Sequence, residues 1–140
     1  MTSQQITTNV VRRTYLNSRK GFRLRVTDDL VDGSQNYDSD VYSKWNPLRQ
    51  MASVAPGEVV FRGEVSNKYI GMDSNGNIVT YNSLLEDCVF KEHQDANGYS
   101  SFESKPHPGW FLGLTNDGKT KPGPKSARGH RAVEFLPSNV

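Results

Sequence analysis

The sequence has one cysteine, Cys88, no apolar run long enough to span a bilayer, and no stretch of about ten residues with a helical period and caps. Each absence excludes something. A lone cysteine forms no intramolecular disulfide, so the chain is neither a disulfide scaffold nor a zinc ribbon; a reducing cytosol suits it, and so does secretion with the thiol buried. Met1 to Asn9 lacks the apolar core of a secretory signal, which implies that a signal was removed or that none exists. No Asn-x-Ser/Thr acceptor occurs. With 17 Lys and Arg against 15 Asp and Glu, the formal net charge of +2 does not describe a protein that coats nucleic acid. Residues for catalysis or metal binding are equally sparse. His93, His107 and His130 show no metal spacing with Cys88, and Asp73-Ser-Asn-Gly76 opens like a calcium loop but has Leu84 where the twelfth-position glutamate belongs. No enzyme activity, metal or cofactor is expected, and Cys88, in an apolar segment, reads as a buried inert thiol.

What the chain does have is strands and turns. At 140 residues it fits one domain with a real core. We read residues 1–13 as a flexible N-terminal arm and 14–140 as a single folded unit. Phe22-Arg-Leu-Arg-Val26 alternates strictly, as a half-buried strand does. Tyr69-Ile-Gly-Met72, Asp73-Ser-Asn-Gly76 and Ile78-Val-Thr-Tyr81 read as strand, tight turn and strand. Asp32-Gly33, Pro56-Gly57, Asn67-Lys68 and Asn97-Gly98 are further turn signals. Residues 36–56 give no decipherable pattern.

The C-terminal stretch carries the most information. Trp110 to Leu114 is a short apolar strand, and Asn116-Asp117-Gly118 is turn chemistry. From Lys119 to Arg131 there are Lys119, Lys121, Lys125, Arg128, His130 and Arg131 and no acid, while Pro122, Gly123, Pro124 and Gly129 prevent regular helix. Ala132 to Leu136 reads as a half-buried closing strand that Pro137 ends. A basic loop of this kind is either a solvated charge run or an anion site. The clearing of acids from this window favours the anion site, because the charges repel one another and only the flanking strands can carry that cost.

An internal repeat turns the strands into an architecture. Leu24-Arg-Val26, Ile70-Gly-Met72 and Leu112-Gly-Leu114 superpose at spacings of 46 and 42 residues, and the latter two reach a turn glycine at the same offset, Gly76 and Gly118. Val59-Val-Phe61, Cys88-Val-Phe90 and Val133-Glu-Phe135 look like three matching closing segments. Three units of about four strands close as a β-trefoil, a short barrel capped by hairpins, with a two-sheet sandwich as the competing all-β arrangement.

Glu86-Asp-Cys-Val-Phe-Lys-Glu92, Asn97-Gly-Tyr99, Gly109-Trp-Phe-Leu-Gly-Leu114, Asn116-Asp-Gly118, Gly123-Pro-Lys125 and Ala132 to Pro137 occur in order. Together with Tyr15, Phe22 to Val26, Val31-Asp-Gly33 and Tyr69 to Asp73, they make the chain resemble the fibroblast growth factors over about residues 14–137. The resemblance implies a β-trefoil that acts as a secreted mitogenic ligand, binding heparan sulfate (or heparin) and the ectodomain of a fibroblast growth factor receptor-type tyrosine kinase. It implies a monomer that a glycosaminoglycan chain can dimerise, with no nucleic acid partner and no membrane insertion. Heparin-binding positions fall on Arg19, Lys20, Lys119, Lys121, Lys125, Arg128, His130, Arg131 and Ala132. Receptor-binding positions fall on Tyr15, Glu92, Asn97, Tyr99 and Leu136. This sequence departs from the pattern at Thr115 and Asn116, often basic in the family, at His130, commonly glutamine, and at Ser138, which replaces an apolar receptor contact. These departures imply weaker heparin binding and an altered receptor choice. The rival reading is the family's intracellular branch, a cytoplasmic module that binds channel tails or other cytosolic partners; a trefoil lectin is disfavoured by the lack of a recurring Gln-x-Trp pocket.

Overall fold

Strand and turn account for nearly all of the residues that the computed structural model describes, 11–35 and 50–139. Its strands are β1 (Val11–Arg12), β2 (Thr14–Ser18), β3 (Arg23–Val26), β4 (Val31–Ser34), β5 (Gln50–Ala55), β6 (Glu58–Arg62), β7 (Tyr69–Met72), β8 (Ile78–Tyr81), β9 (Phe90–Gln94), β10 (Ser100–Ser104) and β11 (Phe135–Asn139). Three 3-10 turns, Glu86–Cys88, Gly123–Lys125 and Arg131–Val133, are the only helical segments among the described residues. Of the sequence-predicted arm, residues 1–10 lie outside the described residues, and Val11 and Arg12 pair with Ala52 and Met51 of β5.

Antiparallel neighbours run β5-β6-β9-β10-β11-β2, and β1, one residue before β2, pairs back to β5. The barrel is thereby closed, and among the described residues no long edge strand is left at its wall. Hairpins cap one end: β3–β4, β7–β8, and a third formed by residues 111–114 and 119–121, which is held by the isolated bridge Leu114–Thr120 and joined to β10 by the bridge Phe111–Glu103. Four strands per unit, three times over, make this a β-trefoil. The third cap was expected to be a regular strand from Trp110; only isolated bridges form there, as the Leu112 and Leu114 N–H groups donate outside the hairpin, to the Phe102 and Ala132 carbonyls.

The threefold sequence pattern is a threefold packing pattern. Leu24, Val26, Ile70, Met72, Leu112 and Leu114 are all completely buried in one core with Leu16, Phe61, Phe90, Phe102 and Phe135. Phe61 meets Phe102 edge-on with ring centroids 5.0 Å apart, and Phe102 continues to Phe135 at 6.2 Å. Each such side chain adds about 1.5–3 kcal/mol by leaving water.

Four expectations need correction. Asp32-Gly33 is not a turn but lies within β4, paired with Arg25 and Leu24 of β3. Val59-Val-Phe61 is not a closing segment: it lies in β6, the opening strand of the second unit, where Phe61 takes the place of Leu16 and Phe102. The first unit closes instead with β5, in the stretch whose pattern was unreadable. Cys88 ends a 3-10 turn, and its strand begins two residues later at Phe90. Nor does Pro137 end the last strand; it sits inside β11 opposite Leu16, and the ladder continues to Asn139.

Candidate functional site

The basic loop is held by backbone and by one buried hydroxyl. Its first turn closes with the Thr115 N–H donating to the Lys119 carbonyl at 2.7 Å, and Gly118 takes φ 81°. That turn docks on the first cap hairpin, where the Gly33 N–H donates to the Gly118 carbonyl at 2.7 Å. Further along, the Gly123 N–H donates to the Gly76 carbonyl at 2.8 Å, tying the loop to the second cap hairpin. Buried Ser126 accepts from the Phe111 N–H at 2.8 Å and donates to the Gly123 carbonyl at 2.6 Å. The Leu114 N–H donates to the Ala132 carbonyl at 2.8 Å, fixing the far end. All three units thus contribute to the seat of one loop.

Charges on that loop divide into two classes. Lys121, Lys125, His130 and Arg131 have no side-chain hydrogen bond or ion pair among the described residues. Lys119 stands 3.9 Å from Asp117, with both side chains well exposed. The Asp117 carboxyl is held below the usual carboxylate range mainly by a hydrogen bond from the Thr115 hydroxyl. Lys20 joins this group from the first barrel turn, its Nζ donating to Asn116 Oδ1 at 2.6 Å. Arg128 does not project freely: its Nε and Nη2 both reach Asp95 Oδ1, at 3.1 and 3.0 Å. Ala132 is buried, so it contributes backbone and shape.

Arg19 lies elsewhere. Its Nη1 donates to Glu134 Oε1 at 2.8 Å, and its guanidinium stands 5.0 Å over the Tyr99 ring. The structure therefore places Arg19 with the residues expected to face a receptor. Those residues lie on β9, β11 and β2 and in the β9–β10 turn, along the run of neighbouring strands β9-β10-β11-β2. Glu92 is on β9, where one carboxylate oxygen accepts from Ser100 Oγ at 3.3 Å. Asn97 and Tyr99 flank the β9–β10 turn, with the Tyr99 N–H donating to Asn97 Oδ1 at 3.1 Å. Leu136 on β11 is 50% exposed, and Tyr15 on β2 has the Arg23 guanidinium 3.8 Å over its ring. Opposite Leu136 is Asn17, whose Nδ2 donates to the Leu136 carbonyl at 3.0 Å.

Between the two groups is a shallow depression of about 540 Å³ lined by Arg19, Asp95, Asn97, Arg128 and Glu134. Glu134, in the segment expected to close as a half-buried strand, is 2% exposed. Sequence reading missed it, as it missed Asp95. The Val-x-Phe comparison contained a signal, a carboxylate at a position filled elsewhere by valine.

The family model for the fibroblast growth factors matches residues 11–136. The chain belongs to the fibroblast growth factor family. It is 36% identical over 126 residues to fibroblast growth factor 1 of Notophthalmus viridescens, covering 88% of this chain and 92% of that protein. It is 32% identical over 121 residues to fibroblast growth factor 2 of Xenopus laevis, covering 86% of this chain and 75% of the relative. Fibroblast growth factor 2 of Gallus gallus is also 32% identical, over 86% of this chain and 73% of its own length. The growth-factor members of this family are signalling ligands. Among the described residues, no helix is long and apolar enough to cross a membrane.

Proposed function

We propose that this chain is an extracellular signalling ligand that binds heparan sulfate through the basic loop and a receptor tyrosine kinase ectodomain through the β9-β10-β11-β2 face. The observation that carries the reading is the loop itself: Lys121, Lys125 and Arg131 extend from a backbone anchored at Gly76, Gly113 and Phe111, with no carboxylate partner among the described residues. Ammonium and guanidinium groups held apart in a fixed pattern suit a sulfated chain, for which no preorganised pocket is needed. Lys20, Lys119 and His130 extend the same surface, and the Ala132 backbone fixes it.

Each exposed ionic contact adds about 0–1 kcal/mol, so affinity is the sum of several and falls with salt. With Arg19 and Arg128 held by carboxylates, fewer cations are free than the sequence alone suggests. On the other face, two tyrosines and an exposed leucine have the composition of an interface centre. The relatives named above are growth factors, so the cytosolic-module reading gains no support.

The test is elution from heparin beside elution from an ordinary cation exchanger, for the parent and a Lys121→Glu, Lys125→Glu, Arg131→Glu variant. A heparin site holds the parent on heparin to clearly higher salt than on the exchanger, and the folded variant loses that excess. Equal elution of the parent from both columns contradicts it.

A further inference from the structure

Glu134 has an internal counterpart. The 3-10 turns Glu86–Cys88 and Arg131–Val133 are both followed by a residue of nearly the same backbone conformation, Val89 (φ −91°, ψ 128°) and Glu134 (φ −96°, ψ 127°). Each is 2% exposed, and each precedes the phenylalanine that opens or leads into a closing strand, Phe90 and Phe135. Val89 packs against Val60 and Leu84. An apolar side chain therefore satisfies the fold at this position. A carboxylate must instead be desolvated, and it persists only where both oxygens find donors.

They do. Glu134 Oε1 accepts from Arg19 at 2.8 Å, Oε2 accepts from Asn97 Nδ2 at 2.6 Å, and the Glu134 backbone carbonyl accepts from the Arg19 N–H at 2.9 Å. Asn97, held in this way, accepts the Tyr99 N–H, while Arg19 covers the Tyr99 ring. One buried carboxylate thus fixes a group on either side of Tyr99. A partner approaching this face meets a guanidinium lid with ordered N–H donors, and not a bare aromatic ring.

We propose that Glu134 is a specificity-determining positioning residue: by holding Arg19 over Tyr99 and Asn97 at its turn, it sets which receptor ectodomain this face accepts, favouring one with carboxylate or carbonyl acceptors opposite Arg19. This rests on the receptor reading given under Proposed function. Glu134 itself touches no partner, because it is buried. Replacing it with valine copies the internal counterpart, and the half-exposed Arg19 returns to water, so the fold persists while the lid is released.

The experiment measures affinity for a panel of fibroblast growth factor receptor ectodomains, using the parent, Glu134→Val, Arg19→Ala and the double variant. For the ectodomain that the parent binds most tightly, Glu134→Val is expected to weaken binding about five- to tenfold, and Arg19→Ala in that background to add less than about twofold. The ranking across the panel flattens. Parental affinity for Glu134→Val, or effects of the two changes that multiply, overturns the proposal. Arg19→Lys serves if Glu134→Val does not fold: it keeps the ion pair but loses the planar lid, and an unchanged Kd overturns the proposal just as well. Tyr15→Ala and Leu136→Ala run beside them. If both bind as the parent does, the receptor reading fails and takes this proposal with it. If they weaken binding and Glu134→Val does not, only the role of Glu134 falls.

Discussion

The Gly123 N–H donates to the Gly76 carbonyl at 2.8 Å, so the basic loop of the third unit is fastened to a hairpin turn of the second. Gly76 has φ 83°, and a Cβ there would lie 2.3 Å from Pro124 Cδ. Both constraints require glycine. Gly76→Ala is expected to cost about 2 kcal/mol or more and to lower Tm by roughly 5–10 °C. Thermal denaturation followed by circular dichroism checks this, and heparin elution of the folded fraction should shift to lower salt as the loop loosens.

Arg128 and Lys125 are both exposed cations of that loop, but only Arg128 is held by a carboxylate, Asp95, at 3.0 Å. An ion pair must be broken before Arg128 can serve a sulfate. Lys125→Ala should therefore lower the heparin elution salt more than Arg128→Ala, although both remove one positive charge. Equal shifts would mean that net charge alone governs retention.

Cys88 is completely buried, and burial pushes its thiol up to about 11. Thiolate is therefore scarce at neutral pH, and reagent cannot reach it. Folded protein at pH 8 should react with a thiol reagent orders of magnitude more slowly than protein in denaturant. A single reactive equivalent in the folded state would contradict the burial.

Glu103 holds the third barrel turn, accepting the Gly109 N–H at 2.7 Å and pairing with His93 Nε2 at 2.8 Å. Burial alone would raise its carboxyl, but the Gly109 N–H and His93 together outweigh burial and lower it. A depressed folded value means the stabilisation is present above the unfolded value, about 4.3, and is lost as pH falls toward the folded one. Glu103→Gln should start less stable at pH 7 and then lose less Tm than the parent between pH 5 and pH 3. Parallel curves would remove Glu103 from the acid transition.

Alternation at period two made the core legible: Leu24 and Val26, Ile70 and Met72, and Leu112 and Leu114 could be paired by sequence alone, and all are buried. The basic loop was equally plain, because cations cluster in one window without acids. What sequence could not show was pairing across the chain. Arg19 and Glu134 are 115 residues apart, as are no two members of a local motif, so Arg19 read as a cation of the heparin surface. Nothing in the local sequence announces the burial of Glu134: it follows the 3-10 turn Arg131–Val133, and Ala132, Val133, Glu134 and Phe135 are all buried, which no alternation at period two conveys. The Val59 triplet misled for a related reason: opening and closing strands of a trefoil present the same apolar spacing, and only register distinguishes them.

The central claim, one ligand with a glycosaminoglycan face and a receptor face, is tested most directly by binding to an immobilised fibroblast growth factor receptor ectodomain with and without added heparin. The account predicts saturable binding that heparin strengthens, and a loss of about tenfold for Leu136→Ala, the size expected of an exposed apolar anchor at an interface centre. Absence of binding to every receptor ectodomain, with or without heparin, would contradict it.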